Sequence, residues 1–212
     1  MSSSLTVHLP SGPVICEPLD RMLRFFREEY DYSDALPSGD PDRVAPLDVL
    51  AAVAVNGFFN TNAMTIRTVH RGLATACDPI LPTIPRYADL LTSEPPFPGV
   101  AALLDAAVSV PKVLIPVATK VLHRKRPYLI PILDNVVLVH YLGRLLPATQ
   151  DKTRAAGIAV EVLRRFRDDL VAVRAEIDLI ATDLTASEFV LSPVRVLEVL
   201  LWTEVEERGY YR

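Results

Sequence analysis

Three features of the chain predict a mainly α-helical protein. Apolar residues recur at helical spacing through most segments, as in Leu19, Met22, Leu23 and Phe26. Alternation of period two, the mark of half-buried strands, is almost absent. Proline and glycine fall mostly at the edges of the periodic segments, where helices begin and end.

The elements follow in order. Residues 1–18 form an extended N-terminal arm, short and rich in proline and glycine from Thr6 onward, and 19–212 form a single compact helical domain. A helix is expected from Leu19 to Tyr30, then a surface connection from Asp31 to Ala45 broken by Pro37, Gly39 and Pro41. Pro46 to Asn56 reads as a helix with Asp48 in its first turn, where a negative charge suits the dipole. Asn62 to Cys77 is the next helix, Leu81 to Leu91 has helical or mixed character, and Glu94 to Pro98 is a break. Helices then run over Gly99 to Val108 and from Pro116 to about His123. Pro127 and Pro131 bracket a tight connection into a helix from about Ile132 to Leu142, closed by Gly143. Asp151 to Ala181 is one long helix with Gly157 its weak point. Ser192 caps a last helix that starts at Pro193 and ends near Glu207.

Composition bounds the function classes. The 212 residues, half of them hydrophobic and 23% charged, suit a folded soluble protein with one core or two interlocked lobes. A net charge of -4 argues against a protein that coats polyanions generally, but permits a local phosphate-binding patch. The two cysteines, Cys16 and Cys77, are too few for an all-cysteine iron–sulfur or zinc site, and a reduced cytoplasmic setting is the simpler reading. The start of the chain lacks the pattern of a signal peptide, and charges interrupt every apolar stretch, so no membrane partner is expected. No cofactor and no metal site are expected: His70 and His123 are isolated, and the acidic run around Glu28 to Asp34 reads as a solvated helix end. Arg164 and Asp168 are spaced for an i,i+4 pair on the long helix. Trp202 reads as core. Asn56, Asn60 and Asn62 either cap a turn or line a cleft, the turn being favoured.

The densest chemistry lies between Lys120 and Val137. Lys120, His123, Arg124, Lys125 and Arg126 form a basic knot, followed by an apolar run and a lone acid, Asp134. The knot reads three ways: as donors for phosphate or nucleic acid, as an internal salt-bridge network, or as a solvated basic cap at a helix C-terminus. Asp134 is either a first-turn cap, a buried partner of an arginine, or a carboxylate at the mouth of a cleft near 110–137. Lys112 and Asn135 are further ligand-binding candidates, and His140 reads as helix surface or core edge.

This stretch resembles the core of the helix–hairpin–helix DNA glycosylase superfamily, in which an aspartate essential for base excision follows a hairpin and its second helix. Setting Ala118 on the alanine of that superfamily's Thr–Ala pair puts Asp134 on the aspartate without a gap. The run also resembles, more closely, a mostly actinobacterial family of unknown function with a Lys–Leu–Leu–x–Arg–Lys–Arg–Pro–x–Leu–Ile–Pro–x–x–Asp–x–Val–Val signature. Pro46 to Val53 and Leu191 to Trp202 look like that family as well, so this likeness covers most of the chain. The glycosylase likeness implies a helix–hairpin–helix glycosylase-like fold with a degenerate hairpin, because Val110 to Pro116 lacks the glycines that let backbone amides approach a phosphate. Pro116 stands where bifunctional relatives carry a Schiff-base lysine, which implies no lyase activity.

Three functional readings follow. One is a monofunctional DNA glycosylase-like enzyme that stabilises an oxocarbenium-like centre with Asp134 and holds phosphates with Lys112, Lys120, Arg124, Lys125 and Arg126. The second is the same fold turned to a small anionic or nucleoside-type metabolite. The third is a non-catalytic protein that binds DNA or another partner. The apolar hairpin leaves a homodimer open.

Overall fold

The computed structural model describes residues 5–28, 36–54, 63–143 and 152–208. Among them are two short strands, β1 (Thr6–His8) and β2 (Val14–Cys16), and nine α-helices. The helices are α1 (Pro18–Glu28), α2 (Pro46–Ala54), α3 (Ala63–Cys77), α4 (Phe97–Ser109) and α5 (Ile115–His123), then α6 (Asn135–Leu142), α7 (Lys152–Ala172), α8 (Arg174–Ala186) and α9 (Pro193–Glu207). Asn56, Asn60 and Asn62, and the acids at 29–34, lie outside the described residues.

The mainly helical expectation holds, with one correction at the start of the chain. The expected arm is an antiparallel hairpin in which Val7 pairs with Ile15, both fully buried. Its turn carries Gly12 at φ 116°, and Leu9 N–H donates to Pro13 O at 2.9 Å. Ser11 at the tip clasps the helices: its N–H reaches Asp169 Oδ1 at 3.0 Å and its hydroxyl reaches Asp169 Oδ2. Tyr141 OH donates to the same Oδ2 at 2.8 Å, and His140 Nε2 lies 2.8 Å from Ser11 Oγ. The hydroxyl proton goes to the carboxylate, so the imidazole N–H donates to Oγ. Serine, histidine and aspartate therefore form a clasp, and the histidine is not placed as a base for the serine.

Helices α4 and α7 pack along each other at the centre, with α5 and α3 against α4 and α9 against α1, α6 and α8. The buried faces follow helical spacing: Val100, Leu103, Leu104 and Ala107 on α4, and Ala159, Val162, Leu163, Phe166 and Leu170 on α7. The contact between α3 and the turn after α4 requires Gly72, because a Cβ there would stand 2.6 Å from Val110 Cγ1.

Several boundaries differ from expectation. The stretch from Leu81 to Leu91 contains only a 3-10 turn at Leu81–Thr83. The single long helix is two, parted at Val173 (φ -110°, ψ 23°), while Gly157 sits inside α7 without breaking it. Arg164 turns to Glu161 and to the face of Phe97 rather than to Asp168. Trp202 is partly buried, edge-on to Phe25 at 5.4 Å, in keeping with core. Burial pushes the Cys77 thiol up to about 12, so it packs as a small hydrophobe.

The clasp makes stability pH-dependent. Burial, with help from Arg208, holds His140 below its ordinary 6.5, and Asp169 only partly offsets this. Between 6.5 and that lowered value the unfolded chain binds the extra proton, so stability falls as pH falls through this window. Urea midpoints measured across the window should show that slope, and His140→Gln should flatten it.

Candidate functional site

The basic knot is the hinge of the site. Arg124, Lys125 and Arg126 end α5, and each turns inward. Arg126 is fully buried; its guanidinium donates to the carbonyls of Pro41, Leu81, Ile84 and Lys125, and to Asp42 Oδ1 at 2.9 Å. Lys125 Nζ donates to Ser38 O at 2.7 Å and Asp40 O at 3.1 Å, and pairs with Asp48 Oδ2. Arg124 Nε reaches Asp48 Oδ1 at 3.0 Å, and its Nη2 reaches Leu36 O and Pro37 O. Of the three sequence readings of the knot, the observed contacts are those of the internal network. Asp48 does more than suit a dipole. It is fully buried, accepts from Ala45 N–H at 2.7 Å as a capping acid at the third position of α2, and neutralises two cations. In effect the knot fastens the 36–42 connection and the 81–84 turn onto the end of α5.

From that end the chain reverses into the apolar run before Asp134. His123 Nδ1 donates to Ile130 O at 2.7 Å. Thr119 Oγ1 accepts from Leu133 N–H at 3.0 Å while donating to Ile115 O at 2.9 Å. Thr119 thus fixes the residue immediately before Asp134, and His123 fixes the start of the same run at Ile130. Helix α6 begins one residue later than the carboxylate: Asp134 is its N-cap, accepting from Val137 N–H at 3.0 Å, and Gly143 closes it in the left-handed conformation at φ 68°. The capping reading of Asp134 is thus seen directly, and no hydrogen bond from Arg124 or Arg126 to it is among their observed contacts.

Capping does not exhaust the carboxylate. Asp134 is only partly exposed, and burial raises its pKa above the usual carboxylate value against the pull of the Val137 and Val136 amides, Lys120 and Arg195. Lys120, buried on α5, is held below its ordinary value by burial and by Arg195, while Asp134 and Glu198 act the other way. Arg195 and Glu198 come from the first turns of α9, are both 4% exposed at the side chain, and pair with each other at i,i+3. The Arg195 guanidinium lies 5.8 and 5.9 Å from the ring centroids of Phe25 and Phe26. Ser192 brings them there: its hydroxyl accepts from Arg195 N–H at 3.1 Å, capping α9, and donates to Pro127 O at 2.7 Å, tying α9 to the reversal after the knot.

Lys120 on α5, Asp134 at the cap of α6, and the Arg195–Glu198 pair at the start of α9 therefore influence one another electrostatically. Asp134 and Lys120 were candidates from sequence; Arg195 and Glu198 were missed. Their i,i+3 spacing resembles any surface pair, and only the apolar surroundings Val194, Val196, Leu197 and Val199 hinted that both are buried. Asn135 is exposed beside Asp134, and Lys112 is exposed in the turn between α4 and α5. Lys112 adopts φ 69°, so the backbone takes a glycine-type conformation where the sequence supplies no glycine. Among the described residues no group of three or more His, Cys, Asp or Glu could hold a metal ion. No described helix is long and apolar enough to cross a membrane.

Asp48→Ala removes the partner of two buried cations and should cost about 3–5 kcal/mol in unfolding free energy measured by urea titration.

No curated protein and no solved structure is significantly similar to the chain. Residues 22–205 match the profile of a family of unknown function, DUF6308. That match spans the knot, the Asp134 reversal and the start of α9 together, and the chain belongs to this family.

Proposed function

We propose that the protein hydrolyses an N-glycosidic bond in a small nucleoside-type substrate, with Asp134 as the carboxylate that stabilises the developing positive charge. The observation that carries this reading is the setting of Asp134: a recessed, desolvated carboxylate fixed from behind by Thr119 and by its own helix cap, in the field of the buried Lys120 and Arg195. A carboxylate in poor solvent interacts more strongly with an oxocarbenium-like centre than one in water, and one held by a cap costs no reorganisation when the charge appears. Lys120 and Arg195 favour its ionised form, which is the form this role requires. A water directed by Asp134 would complete hydrolysis, and no lyase step is drawn, because Pro116 offers no amine.

A small substrate is favoured over duplex DNA by the knot. Arg124, Lys125 and Arg126, the cations that a phosphate backbone would need, are directed at Asp42, Asp48 and loop carbonyls. One observation favours the DNA reading: a short turn over 110–114 joins α4 to α5, with Lys112 exposed on it at φ 69°. Fluorescence anisotropy with a labelled duplex across a salt series separates the two. Weak binding is expected; tight binding that fades steeply with salt would favour DNA.

Paired substitutions test the carboxylate. Asp134→Asn keeps a capping side chain and should leave the urea midpoint near that of the wild type, while base release from a nucleoside panel, read by chromatography, falls at least about a hundredfold. Asp134→Ala should lose the same activity and a further ~1 kcal/mol of stability with the cap. In the wild type, the rate should fall on acidification at a pH above the ordinary carboxylate value of 3.8, since burial raises the Asp134 pKa and the protonated group cannot stabilise a cation.

A further inference from the structure

The Asp134 carboxylate accepts from Val137 N–H at 3.0 Å, an amide of the helix that it caps. Its place in space is thus tied to the backbone that carries it. Just before Asp134, that backbone is pinned by a side chain of another helix: Leu133 N–H donates to Thr119 Oγ1 of α5 at 3.0 Å. We infer that Thr119 is a positioning residue for the Asp134 carboxylate, acting through the Leu133 amide and not on the substrate; this rests on the reading of Asp134 given above.

The hydroxyl is oriented for this task. Its own proton goes to Ile115 O at 2.9 Å, one turn back on α5, with Pro116 O at 3.4 Å. That bond selects the χ1 rotamer of a β-branched side chain and leaves a lone pair for the Leu133 amide. Thr119 and Leu133 are both fully buried. Water therefore offers the amide no substitute acceptor, and a side chain without oxygen at 119 would leave a buried donor unpaired. The chain would relieve that cost by shifting at 133, one residue from the carboxylate. Pinned at 133 and capped at 137, Asp134 is held from both sides along the chain. A group that stabilises a developing charge gains from such fixing, because it does not have to reorient as the charge appears. Its displacement weakens the transition state more than the bound substrate, so the loss falls on kcat and not on KM.

Two substitutions separate the hydroxyl from the bulk of the side chain. Thr119→Val keeps the shape and removes the acceptor, whereas Thr119→Ser keeps the acceptor and removes the methyl. Base release from a nucleoside that the wild type cleaves is measured per folded molecule, with folding followed by circular dichroism and urea titration. Thr119→Val should lower kcat by about tenfold or more and leave KM within about twofold of the wild type. Thr119→Ser should retain kcat within about threefold, although the lost buried methyl lowers its urea midpoint. A purely structural role would make activity follow the urea midpoint, not the hydroxyl. Unchanged kcat in Thr119→Val, equal loss of kcat in both variants, or a change confined to KM would overturn this inference and leave the N-glycosidase reading standing. If Thr119→Val does not fold, Thr119→Cys, whose thiol is a weak acceptor, replaces it under the same criteria. A wild type that releases no base would overturn both.

Discussion

The arrangement depends on three consecutive cations spending themselves on backbone oxygens. A connection such as 36–42 has no ladder partner, and its carbonyls are costly to bury unpaired. Arginine and lysine side chains are pure donors, so a run of them can satisfy many acceptors at once. Arg126 alone reaches four carbonyls, from Pro41, Leu81, Ile84 and Lys125. The associated charge would be prohibitive without Asp48 and Asp42, which sit where the donors converge. The result is a polar core inside a hydrophobic protein, with directional contacts that apolar packing alone would not supply.

From this anchor the site follows step by step. The knot fixes the C-terminal end of α5, α5 presents Thr119 and His123 to the returning chain, and these hold the run that ends in Asp134. Ser192, bonded to Pro127 O just past the knot, sets the start of α9 and with it Arg195 and Glu198. Four ionisable groups are thereby positioned by hydrogen bonds made a few residues away from each of them. Such support is what a preorganised charge site requires, since the groups themselves remain oriented without needing every one of their own contacts for positioning.

Much of the helical order was legible in the sequence because apolar period, proline and glycine coincide at most boundaries, as at Pro46, Gly143 and Ser192–Pro193. The hairpin was not, since three-residue strands are too short to show alternation. The break at Val173 carries no glycine or proline to mark it. For the site, Asp134 stood out as a lone acid in an apolar run. The fate of the knot did not, because a cluster of basic residues reads alike whether its partners are phosphates or its own loop carbonyls. Those partners lie more than eighty residues upstream for Pro37 and Ser38, beyond any local pattern.

The clasp at Ser11 has a consequence for the order in which the molecule is made. Ser11 and Asp169 are separated by 158 positions in the chain. During synthesis at about 5–20 residues per second, the hairpin leaves the ribosome many seconds before α7 exists to receive it. Val7 and Ile15, fully buried in the common core of the finished protein, lack much of that core in that interval. Closure of the N-terminal hairpin onto the helices is therefore a late, long-range event, which slows folding through loop-closure entropy. The hairpin thus emerges well before the helix that secures it.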